Sequence, residues 1–231
     1  MLLIFDLDDT LLDTYHSIIP VMFREALVAM MQEGLIVKDL DASLDRLLKL
    51  YVQKDSGTCR DVLNNFLLEQ REEKYLEKGV QVVYGSLPED LSVRLMDGAL
   101  SLLQDLKKDH DLALVTRGKK EVQKQKLEKT GLDCGFFSSI AIVEGGDKKP
   151  YYALLAHQYG YPSDKIVVCG DRITFDLQPA KELSFYTIHL QKREDAVGLS
   201  PSMWVDYVVQ ELREIPPILL QIEKGKKDDH K

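Results

Sequence analysis

The chain has 231 residues, 45% of them hydrophobic, and a formal net charge of −8. That length suits one large domain or one carrying an insertion, and the composition supports an ordinary packed core. No basic face stands out, which argues against a nucleic-acid backbone as partner. No run approaches the ~20 apolar residues of a membrane span, so no membrane partner is expected. Leu2–Phe5 is too short for a secretory apolar region and is cut by Asp6, so no signal peptide is read. The cysteines Cys59, Cys134 and Cys169 are odd in number and show no metal spacing. They fit a reducing compartment, and a cytoplasmic location is expected.

The first predicted element is a buried strand over Leu2–Phe5, running into Asp6-Leu7-Asp8-Asp9-Thr10. Three carboxylates within four residues cost free energy unless something positive sits among them. A divalent cation with a hard, oxygen-seeking shell is the natural compensation. Alternation along an extended chain places Asp6 and Asp8 on one face with Leu7 pointing away. One carboxylate is then able to attack while the other shuttles a proton. The plain alternative is an Asp-rich turn after a strand.

From Thr14 to about Leu95 apolar residues recur at three and four, a helical pattern throughout. About a hundred residues separate the first two strands, more than one crossover needs. The stretch 14–95 therefore reads as an inserted helical cap, with hinges near Thr14–Tyr15 and Leu87–Ser92. The core, residues 1–13 and 96–222, resumes with a helix near Gly98–Lys107. A second strand at Asp111–Val115 leads into Thr116-Arg117-Gly118, and a third at Ile166–Cys169 leads into Gly170-Asp171 and then Asp176. Between them lies Asp147-Lys148-Lys149-Pro150, followed by a helical pattern from Tyr152 to Tyr159. A lysine at that helix start reaches toward a phosphate, aided by the free N–H groups and the dipole. FYTIHL and WVDYVV read as later strands, and residues 223–231 as a frayed polar tail. Polar residues thus follow three strands of an α/β, doubly wound parallel sheet, at the end where such folds bind ligands.

These motifs resemble those of the haloacid-dehalogenase-like hydrolase superfamily, in its phosphatase branch with a helical cap. DLDDTLLD is very specific, GDRITFD moderately so, and VTRG and the single lysine are weak alone. Their order and spacing, from Leu2 to about Leu220, carry the resemblance. It implies a Rossmann-like core and Asp6 as the nucleophile that becomes an aspartyl-phosphate. It implies Asp8 as the general acid and then base, and Mg²⁺ held by Asp6, the backbone carbonyl of Asp8, and Asp171. Thr116, with the N–H groups of Arg117 and Gly118, would bind the phosphate. Asp176 would order water around the metal and steady the lysine, while Asp9 and Thr10 would hold the loop. Dehalogenases of this fold lack an acid at position 8 and the ion-pumping relatives carry Thr there. Asp8 therefore implies hydrolysis of a phosphomonoester.

The lysine is either Lys148 or Lys149. Lys149-Pro150 imitates a pair common in this branch, but counting back from Gly160 and Asp171 favours Lys148. Plainer readings stand beside these: Thr116 as a helix cap, Asp171 and Asp176 as turn and helix-start acids, the lysines as a charged surface run. Arg24, Tyr51, Lys54 and Arg60 are cap candidates for substrate contact, read as solvated helix residues. Trp204 is read as core packing and His157 as helix surface. The expected partner is a small phosphorylated metabolite, of sugar phosphate or nucleoside monophosphate type, bound by a monomer or homodimer. A phosphomutase on the same scaffold and a non-catalytic phospho-ligand-binding regulatory protein are the alternatives.

Overall fold

In the computed structural model, which describes residues 1–53, 57–191 and 202–225, β1 (Leu2–Phe5) is buried along its whole length. It lies in the middle of a six-stranded parallel sheet of order β3-β2-β1-β4-β5-β6. The other strands are β2 (Asp111–Arg117), β3 (Ser139–Val143), β4 (Ile166–Gly170), β5 (Tyr186–Leu190) and β6 (Tyr207–Val209). Leu3 and Phe5 pack into one apolar cluster and Leu2 and Ile4 into another, as alternation across a doubly covered sheet requires. Phe5 pairs with Leu114 on one side and with Cys169 on the other. The order reverses between β1 and β4, so the crevice outside their carboxyl ends is the natural ligand site.

The helices α1 (Thr14–Ser17), α2 (Ile19–Gln32), α3 (Leu40–Tyr51), α4 (Cys59–Leu68) and α5 (Leu76–Val83) lie between β1 and β2. They bury Phe23, Leu27, Met30, Leu47, Leu63 and their neighbours in an apolar cluster of their own. Asp39 caps α3 by accepting from the Ala42 N–H, and Thr58 with Asp61 forms a capping box on α4. The outgoing and returning chains meet: Leu12 bridges antiparallel to Leu95, the Asp13 N–H donates to the Arg94 carbonyl, and the Met96 N–H to that of Leu11.

After the insertion come α6 (Ala99–Leu106), α7 (Lys120–Thr130), α8 (Lys149–Tyr159), α9 (Gln178–Lys181) and α10 (Ile215–Lys224). Several expectations need correction. β3 was not foreseen, because SIAIV is an edge strand whose Ile140 stays exposed and whose pattern is too short to announce itself. Glu223 and Lys224 belong to α10 rather than to a polar tail, since Ile215, Leu219 and Ile222 bury one face; residues 226–231 lie outside the described residues. Trp204 is only half-buried, not core. Thr116 caps no helix, for α7 starts after Lys119. Among the described residues no helix is long and apolar enough to cross a membrane.

Candidate active site

β1 ends at Phe5 and the chain turns at once. The Asp6 N–H still donates to the Cys169 carbonyl across the switch point, after which the N–H groups of Leu11 and Leu12 fold back onto the Leu7 carbonyl. Asp9 takes a left-handed conformation (φ 57°), which a short polar side chain tolerates. Its carboxylate accepts from the Tyr15 N–H at 2.8 Å and the Tyr51 hydroxyl at 3.4 Å, tying the loop to the inserted helices. Thr10 is fully buried and its hydroxyl finds no partner among the described residues. Leu7 goes into the core while Asp6 and Asp8 both face one pocket.

The two carboxylates keep different company. Lys148, 2% exposed, sits between Asp6 and Asp176, its Nζ 2.5 Å from Asp6 Oδ1 and 2.6 Å from Asp176 Oδ1. Burial pushes the Asp6 carboxyl up to about 7; Lys148 opposes the shift, and Asp176 and Asp8 add to it. Asp171 is also held well above the usual carboxylate range, by burial and then by Asp176, Asp9 and Asp6. Burial disfavours the Lys148 charge, but Asp176 and Asp6 more than offset it and hold its pKa high.

Asp8 is turned the other way. Lys126 Nζ lies 2.7 and 2.8 Å from its two oxygens, Thr14 Oγ1 donates at 2.6 Å and Gln123 Nε2 at 2.9 Å. Burial alone would raise its pKa, yet Lys126 with the hydrogen bonds from Thr14 and Gln123 holds it below the ordinary value. Gln123 Nε2 also donates to Thr116 Oγ1 at 2.5 Å, so one amide links the loop after β1 to the end of β2.

The loop after β4 supplies the remaining acids. Gly170 closes the strand where only a glycine fits: a Cβ there would lie 2.5 Å from Asp176 Cβ. Asp176 lies in a π-turn (Ile173–Leu177) and accepts from the Arg172 N–H at 2.9 Å; such turns recur at functional sites. His189 Nε2 hydrogen-bonds the Asp171 carbonyl at 2.9 Å. Asp6, Asp171 and Asp176 offer one carboxylate oxygen each, all within 4.8 Å of one another. Three carboxylates gathered this closely form the hard oxygen donor set suited to a small divalent cation.

The structure brings Asp6, Asp8, Asp9, Arg117, Gly118, Lys148, Asp171 and Asp176 to the walls of one pocket, with Thr116 buried just beneath through Gln123. Lys149 is not among them; it pairs with Glu182 at 2.7 Å on the surface. Tyr51 overturns its reading as a solvated residue: it lines the pocket, stacks on Tyr15 at 5.9 Å and faces the Arg172 guanidinium at 5.8 Å. Arg24 and Arg60 are exposed and pair with Asp41 and Glu77, His157 is exposed, and Lys54 lies outside the described residues. Gln123 and Lys126 were missed. They stand one turn apart on a helix rich in lysine, and only burial, at 1% and 9% exposure, distinguishes them.

A match to the haloacid dehalogenase-like hydrolase family spans residues 1–183. The chain belongs to that family. It is 27% identical over 228 residues to a glyceraldehyde 3-phosphate phosphatase of Methanocaldococcus jannaschii, covering 96% of this chain and 98% of that one. A glyceraldehyde 3-phosphate phosphatase of Pyrococcus furiosus is also 27% identical, over 234 residues, with 98% and 95% covered. Among solved structures, the magnesium-bound YfnB protein of Bacillus subtilis superposes with a TM-score of 0.64 at 22% identity, over 94% of this chain and 97% of that one. At that identity the superposition speaks for the fold alone.

Proposed function

We propose that the protein is a Mg²⁺-dependent phosphatase that hydrolyses a small phosphomonoester through an aspartyl-phosphate on Asp6. The observation that carries the reading is that Asp6 and Asp8 share one pocket while Lys148 serves the first and Lys126 the second. Two carboxylates in separate electrostatic settings can take separate roles. The relatives named glyceraldehyde 3-phosphate phosphatase, similar over nearly the whole chain, support the same class.

In this reading Asp6 attacks phosphorus, the bond to the alcohol oxygen breaks, and Asp8 gives its proton to the departing alkoxide. Asp8, now a carboxylate, takes a proton from water as that water attacks the phosphoryl group, which restores Asp6 and releases inorganic phosphate. The pose described here suits this second half, since Lys126 holds Asp8 ionised. Lys148 and the Thr116 hydroxyl, with the N–H groups of Arg117 and Gly118, balance the phosphoryl charge. Asp6 and Asp171, with the Asp8 carbonyl, would hold Mg²⁺, and Asp176 would steady Lys148 and order the water around the ion. When bound, the cation draws Asp6 into its ionised form and neutralises phosphoryl oxygens. Asp9 and Thr10 keep the loop in shape.

Residues 14–95 act as a cap over the core of 1–13 and 96–222, excluding water during attack and choosing the substrate. Three free cysteines fit a reducing, cytoplasmic setting. Steady release of phosphate from p-nitrophenyl phosphate with Mg²⁺, lost in Asp6→Asn and in excess chelator, is the expected result. Undiminished release in chelator or in Asp6→Asn overturns the proposal.

A further inference from the structure

Most charged groups of the pocket are already committed. Lys148 serves Asp6 and Asp176, Lys126 serves Asp8, and Arg172 Nη2 donates to the Gly57 carbonyl at 2.6 Å. Arg117 differs. Its guanidinium lies 3.8 Å from the centre of the Phe175 ring, and both residues line the pocket. Among the described residues it makes no ion pair and no side-chain hydrogen bond. The nearby acid on the inserted helices, Asp61, is occupied by the Thr58 N–H and hydroxyl, each at 2.7 Å. Contact with the ring positions the guanidinium, whose N–H donors meet no acceptor among the described residues. A half-buried fork of donors without an acceptor matches a planar, two-oxygen anion.

The remaining walls mix polar side chains, Thr58, Tyr84 and Lys119 among them, with apolar ones. Ile18, Ile19, Met22, Val83, Leu87 and Val122 present apolar surface. The cavity holds about 210 Å³, below the roughly 300 Å³ at which drug-sized ligand pockets begin. That size suits a phosphoryl group on a short carbon skeleton.

We propose that Arg117 is a specificity-determining residue whose side chain binds a carboxylate on the leaving alcohol, so that small phosphorylated hydroxy acids are preferred over the matching aldehydes. This rests on the phosphatase reading above. It separates the side chain of Arg117 from the backbone N–H already assigned to the phosphoryl group.

3-Phosphoglycerate and glyceraldehyde 3-phosphate differ only at the carbon that carries carboxylate or aldehyde, which makes their kcat/KM ratio the readout. The intact protein should favour the acid by at least about tenfold. In Arg117→Met that ratio should fall by about thirtyfold, mostly through KM of the acid, the size expected for losing hydrogen bonds to a charged group. Arg117→Lys, which keeps charge but not the fork, should fall between. Lys119→Met, removing an exposed lysine at the same pocket, should leave the ratio within about twofold, since a solvated charge is screened. A wild-type preference for the aldehyde, an unchanged ratio in Arg117→Met, or an equal fall in Lys119→Met overturns the proposal. p-Nitrophenyl phosphate keeps the two claims apart. Its steady hydrolysis without discrimination between acid and aldehyde sinks the role of Arg117 alone, and no release from any of the three esters sinks the phosphatase reading as well.

Discussion

Replacing Lys148 by alanine tests the centre of the site. Its Nζ is the only cation within hydrogen-bonding distance of Asp6 and Asp176 among the described residues, and all three side chains are nearly closed to solvent. Removing one partner of a buried pair costs about 3–5 kcal/mol. Proton uptake limits that figure, because an orphaned carboxylate can be neutralised instead. Holding one carboxyl protonated at pH 7, about three units above its unfolded value, costs roughly 4 kcal/mol, and each pH unit lower relieves about 1.4 kcal/mol. Urea denaturation of metal-free Lys148→Ala should therefore show a loss of about 3–5 kcal/mol at pH 7 that shrinks by at least half at pH 5. Lys149→Ala breaks only an exposed pair with Glu182 and should cost less than about 1 kcal/mol at either pH. Turnover should fall about 10²–10³-fold in Lys148→Ala, the scale for losing a charge-stabilising donor, and little in Lys149→Ala. Equal losses in the two variants, or a Lys148→Ala deficit insensitive to pH, would refute the assignment.

Asp6→Asn should lower turnover by more than about a thousandfold while urea denaturation shows the fold retained. Because burial raises the folded-state pKa of Asp6 from 3.8 to about 7, the native state binds the extra proton between those values. Metal-free protein should thus lose stability as pH rises through that window, and Asp6→Asn should flatten the slope; a slope unchanged by the substitution contradicts it. Chelation should abolish phosphate release, Mg²⁺ should restore it, and Ca²⁺ should inhibit, since its looser, larger shell draws both oxygens of Asp6 onto the metal; full activity with Ca²⁺ alone would count against the site. Gly170→Ala should shift Asp176, whose Cβ would lie 2.5 Å from the new methyl, costing about 1–3 kcal/mol. Thermal melting and a Mg²⁺ titration would read it, and wild-type values in both would show that the backbone absorbs the clash.

Strands β1, β2 and β4 and the loops after them were legible because each is a dense apolar run broken by residues a core does not accept. Asp6, Asp171 and Asp176 share that signature, and the structure gathers them. The choice between the two lysines was open in the sequence because it turns on one residue of helix phase. The helix begins at Lys149, which leaves Lys148 pointing inward. Gln123 and Lys126 were invisible for a different reason. Nothing in KEVQKQKLEKT marks which polar residues face inward, since that depends on Asp8, 115 and 118 residues away along the chain. Tyr51 was similarly hidden, because its surroundings are made by Tyr15 and Arg172 from distant segments.

The antiparallel contact of Leu12 with Leu95 bears on how the chain reaches this fold. The central pair of the sheet joins Leu2 to Asp111 and Phe5 to Leu114, so the core must close a very long loop before its middle strands can meet. Closure entropy grows with the logarithm of loop length, and non-local pairing slows folding. The inserted helices have a separate apolar cluster, in which α2 packs on α5 near the two ends of the insertion. With the helices packed, Leu12 stands beside Leu95, and the loop that pairing of β1 with β2 must close is reduced to the few residues on either side. Folded helices in the insertion therefore act, in entropy terms, as a splint that holds the two halves of the core together beside the Asp6–Asp9 loop.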